Sequence, residues 1–189
     1  IQSKSTSNIV EKLRQTDEEG FINLGWRGWE GDFPTSIIRE CPEDAALDEK
    51  IIAYYNDAVA TSAKRIRPLV SYFHEDPRPD KFQGTALTGV QPYMGSRIPG
   101  LAGSIVFTDF VQKEETETPA RGVLAYTRIR TDCRPSDFSV IETDYNFGSQ
   151  PAYYVSLGTN LNQTRLFLGV YGSANVTDLN KGTVFEIVP

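Results

Sequence analysis

Any acid–base chemistry in this chain must pass through His74, its only histidine, with Glu75 and Asp76 beside it to orient or perturb the imidazole. A hydrolase built on His74 and a carboxylate is one reading. Adjacent residues point different ways, however, and a histidine at the edge of a proline-rich loop is ordinarily solvated. His74, Glu75, Asp76 and Asp80 also offer oxygens for a hard cation, without the spacing of a calcium loop. Gly95-Ser96-Arg97-Ile98-Pro99-Gly100-Leu101-Ala102 has the two glycines of a phosphate-cradling loop. It places Leu101-Ala102 where that loop needs a lysine and a hydroxyl, so a turn between β elements explains it better. No nucleophile elbow, zinc-helix motif or cysteine–histidine pairing occurs. The expectation is a non-enzyme with no cofactor, no metal and no catalytic residue.

Recognition chemistry is better represented. Trp26 and Trp29 lie three apart among Arg27, Gly28 and Glu30, a polar-aromatic cluster suited to sugar faces or protein hot spots. The competing account makes one tryptophan core and the other its lid. Tyr145-Asn146-Phe147-Gly148-Ser149-Gln150-Pro151 has the composition of a recognition turn, with Tyr145, Asn146, Phe147 and Gln150 as candidate contacts. Arg128 and Arg130 share one strand face and form a basic stripe, unless local acids such as Asp132 and Asp137 pair with them. Asn162-Gln163-Thr164 and Asn175-Val176-Thr177 are glycan-acceptor triplets in expected surface turns. Cys41 and Cys133 are too far apart in sequence for a redox or zinc pair. They are either two free thiols or one bridge across a long loop.

These residues need a scaffold, and the chain is long enough to make one. Its 189 residues, 39% hydrophobic and 23% charged, exclude disorder and low-complexity architectures. The net charge of −6 gives no general nucleic-acid-binding field. Without an apolar run of membrane-spanning length, no insertion is expected. The start, Ile1-Gln2-Ser3-Lys4, has neither methionine nor a hydrophobic leader and reads as a processed product or excised segment.

Asn8 to Glu11 has capping-box spacing and predicts a short helix ending near Gly20. Leu47, Ile51, Tyr55, Ala58, Val59, Ala63 and Ile66 recur at helical spacing. They predict a long amphipathic helix over 44–66, begun by Pro42 and acids and closed by Lys64, Arg65 and Arg67. Beyond Glu75–Asp80, strands are expected at 85–90, 104–112, 122–131, 138–144, 152–157, 165–171 and 183–188, separated by glycine, proline or asparagine clusters. The fold class is α+β and mainly β: an antiparallel sandwich or barrel with a long amphipathic helix in the N-terminal part. An N-terminal portion, 1–80, carries most of the acidity, and a β-rich portion, 81–189, completes what should be one compact domain.

Two resemblances follow. Val140-Ile141-Glu142-Thr143-Asp144-Tyr145, with Gly25-Trp26 near the start, resembles the short signatures of lipocalins. That likeness implies a β-barrel enclosing a small apolar ligand. The processed-looking start, seven β elements, polar-aromatic loops and the end Thr183-Val184-Phe185-Glu186-Ile187-Val188-Pro189 resemble a capsid protein or projecting spike domain of a small RNA virus, astrovirus-like in kind. This second likeness implies a non-enzymatic structural and attachment protein on the virion surface or otherwise extracellular. It would self-associate as a dimer or larger assembly and bind a host glycan or protein receptor through its loops.

Overall fold

The computed structural model describes residues 68–74, 81–112, 119–128 and 136–189, together with the backbone pairing of 29–30 with 33–34. The chain divides into two units, residues 1–66 and 67–189. In the first, β1 (Trp29–Glu30) pairs antiparallel with β2 (Phe33–Pro34). The helices expected near the N-terminus and over 44–66 lie outside the described residues, as do Cys41 and Cys133.

The second unit's described residues are all β, in two antiparallel sheets without a helix. One sheet has the order β3 (Leu87–Tyr93), β4 (Ser104–Asp109), β5 (Val123–Arg128), β6 (Phe138–Val140). The other has the order β7 (Tyr153–Thr159), β8 (Leu166–Tyr171), β9 (Gly182–Ile187). Each of the seven expected strands is present. The strands form two separate ladders, so they do not close into the continuous barrel that the lipocalin likeness implies.

Strand periodicity explains the layering. Successive side chains point to opposite faces, so β4 sends Val106 to one core and Phe107 to another, and β5 divides Leu124 from Val123 and Ala125 in the same way. Val106, Leu124 and Tyr93 meet Leu166, Leu168 and Val170 of β8 in a core shared by the two sheets. On the opposite face of the four-stranded sheet, Phe107 and Phe138 are covered by Val70, Tyr72 and Phe82. Residues 68–74 thus pack with the β-rich unit. Because both faces are covered, β4 is an almost unbroken buried run.

The sheets meet where β3 passes β7. A side chain at Gly89 would place its Cβ 2.6 Å from the Leu157 backbone nitrogen, so glycine permits the close approach. Thr88 Oγ1 donates to Tyr154 O (2.7 Å), and Gln91 Nε2 donates to Leu157 O (3.1 Å), in place of a ladder. A parallel bridge between Arg121 and Ala152 ties the lead-in to β5 to the lead-in to β7.

Candidate functional site

Just past β6, Ile141 N still donates to Leu124 O (2.8 Å); beyond it the chain leaves the sheet, and period-two alternation continues along it. Ile141, Thr143, Tyr145 and Phe147 line a cleft of about 290 Å³, while Glu142, Asp144 and Asn146 are exposed and do not line it. Gln112, Arg121 and Tyr154 complete its polar and aromatic wall. Phe147 packs against the shared core and meets Phe185 of β9 edge-on at 5.8 Å. Tyr145 rests on both, 4.7 Å from Phe147 and 4.8 Å from Phe185, yet remains 57% exposed. The outer ring is open to solvent and held by rings rooted in the core.

Arg121 fixes the far end of the same loop. Its Nη1 donates to Ala120 O (3.1 Å) and Gln150 O (2.5 Å), and its Nη2 donates to Gly148 O (2.7 Å). The guanidinium lies over the Phe147 ring at 5.4 Å. Asn146 accepts the Gly148 N–H at its side-chain oxygen (2.7 Å), and Gly148 takes the left-handed conformation (φ 61) that glycine tolerates best. Gln150 contributes its backbone carbonyl, while its side chain is at the exposed end of the turn.

The sequence candidates therefore divide. Tyr145 and Phe147 enter one site, Asn146 shapes its loop, and Gln150 anchors it through backbone. Arg128 is at the other end of β5 from Arg121, about 20 Å along an extended chain, and its Nη2 donates to Gly100 O (2.9 Å). It does not join the cleft. Trp26 and Arg130 lie outside the described residues, and of Trp29 only the strand pairing is described. Asn162 and Asn175 are both exposed. Asn175 Oδ1 accepts from Thr177 Oγ1 (2.9 Å), and its Nδ2 donates to Asp178 Oδ1 (3.1 Å). His74 is exposed, while Glu75, Asp76 and Asp80 are outside the described residues. Among the described residues no cluster of histidine, cysteine or carboxylate groups is placed to hold a metal ion, and no helix is long and apolar enough to cross a membrane.

Sequence reasoning passed over two charged residues. One is Arg121. The other is Asp109, a carboxylate 1% exposed at the end of β4. Its Oδ1 accepts from Thr85 N (2.8 Å), Thr85 Oγ1 (3.2 Å), Ala86 N (3.3 Å) and Val111 N (3.3 Å); its Oδ2 accepts from Tyr72 OH (2.8 Å). Burial, and then the hydrogen bond and charge of Asp109, push the Tyr72 phenol far above its ordinary pKa, so it remains a donor. Every oxygen is occupied by a donor from the protein's own chain, which makes Asp109 a structural hub.

The chain matches no family model, no curated protein and no solved structure.

Proposed function

We propose that the chain is a non-enzymatic recognition module, a structural and attachment domain of the kind borne by capsids of small RNA viruses. Its contact site is the cleft around Tyr145. The observation that carries this reading is the exposed Tyr145 ring, seated on Phe147 and Phe185 and so ordered before any partner arrives. Preordered aromatic anchors lose little entropy on binding. Self-association is supported separately by β9, the last strand of its sheet among the described residues, whose outer edge meets no described strand and whose Val184 is 72% exposed.

Light scattering across a concentration series, together with glycan-array binding of the chain and Tyr145→Ala, tests the proposal. A dimer or larger species and array signals lost in the variant are expected. A strict monomer with a blank array would overturn it.

A further inference from the structure

We infer that the cleft takes a carboxylate-bearing sugar and that Arg121 is the anchor for its carboxylate. This rests on the recognition reading above and adds the ligand class. A guanidinium has five N–H donors. Carbonyls take two on Nη1 and one on Nη2 of Arg121, and among the described residues the Nε–H and one Nη2–H meet no acceptor. Among the described residues none of its partners is a carboxylate. Arg165 shows what this protein does with the same group elsewhere. Its guanidinium lies 5.0 Å over the Phe167 ring, and its Nε and Nη2 donate to the two carboxylate oxygens of Glu186 (2.7 and 2.5 Å). At Arg121 the ring is present and no described carboxylate meets the guanidinium.

The surroundings specify a sugar. The free ring face of Tyr145 is broad enough for the C–H face of a pyranose, while Gln112 and Thr143 on the cleft wall offer an amide and a hydroxyl for its hydroxyl groups. Side-chain alternation keeps Glu142 and Asp144 off the cleft lining, where they would oppose an anion. The volume of about 290 Å³ lies at the low end for small-molecule sites and suits a single sugar unit.

Saturation-transfer NMR of the full chain with methyl glucuronide, its methyl ester and methyl glucoside tests the assignment. The ester alters little but the charge. The acid is expected to bind about tenfold or more tighter than either neutral sugar, the worth of a charge-assisted bidentate contact. In Arg121→Gln, checked for folding by its thermal midpoint, the acid should bind no tighter than its ester. Equal binding of acid and ester to the unaltered chain would overturn the inference and leave the recognition reading intact. So would binding of a glutamate-rich peptide with no sugar bound, which would give the cleft to a protein partner. Failure of all these probes, together with a blank array and a strict monomer, would overturn both.

Discussion

The β-rich unit contains two aromatic clusters of similar size and opposite use. Tyr72, Phe82, Phe107 and Phe138 meet at centroid distances of 4.8 to 6.1 Å and, apart from half-buried Tyr72, are buried. Tyr145, Phe147 and Phe185 meet as closely, yet their outermost ring is open. The charged neighbours differ in the same sense. Asp109, beside the first cluster, has its oxygens filled by the protein's own donors, whereas Arg121, beside the second, keeps donors that meet no acceptor among the described residues. Ring packing alone does not distinguish a core from a site; the completeness of the polar partners does.

Four substitutions probe that contrast. Phe107→Ala removes a fully packed ring of the closed cluster, buried against Tyr72 and Phe138, and should cost roughly 3–5 kcal/mol. Chemical denaturation will measure it, and a cost below about 1 kcal/mol would mean that the cluster is not core. Tyr72→Phe withdraws the donor to Asp109 Oδ2 and should cost about 1.5–3 kcal/mol at neutral pH. The phenol's raised pKa also sets a pH signature. Its contribution is complete below the ordinary value of 10.0 and is lost as pH rises beyond it. The stability of the variant should therefore fall less steeply than that of the parent above pH 10.0, by one proton's slope.

Tyr145→Ala, at the open cluster, should cost less than about 1 kcal/mol in stability because the ring is mostly exposed. Ligand binding should nevertheless be abolished. A large loss of stability would place Tyr145 with the closed cluster. The smallest effect is expected from Glu186→Gln. Arg165 holds Glu186 below its ordinary carboxylate value of 4.5, through its hydrogen bond first and its charge besides. The pair contributes above that value and fades as pH falls through the lower, folded-state value. The variant's thermal midpoint should be marginally lower at pH 7 and equal to the parent's in strong acid.

Much of this fold was legible in the chain. All seven strands of the β-rich unit announce themselves by β-branched and aromatic runs between glycine, proline and asparagine, because strand propensity and turn chemistry are local. Boundaries were less so. Residues 142–144, expected to continue β6, leave the ladder although their alternation persists, because Thr143, Tyr145 and Phe147 line the cleft wall instead of pairing. The aromatic half of the site was visible as the turn at 145–151.

Its charged half was not. Arg121 follows the acidic stretch Glu114-Glu115-Thr116-Glu117, where any isolated cation looks like a partner for neighbouring acids. Its place against the recognition loop depends on the bridge to Ala152 and on bonds to Gly148 and Gln150, 27 to 31 residues on. Asp109 looks like the polar stop of an apolar strand. Its burial depends on Tyr72 and Thr85, 37 and 24 residues away, and such separations leave no local pattern.

The most direct measurement is the side-chain Nε–H resonance of Arg121 in the isotope-labelled chain, followed by NMR during titration with methyl glucuronide. A saturable shift of that resonance, together with the Tyr145 ring signals, is predicted, and the methyl ester should leave the Nε–H unmoved. A saturable response at other residues with Arg121 silent would contradict the account, as would an identical response to acid and ester.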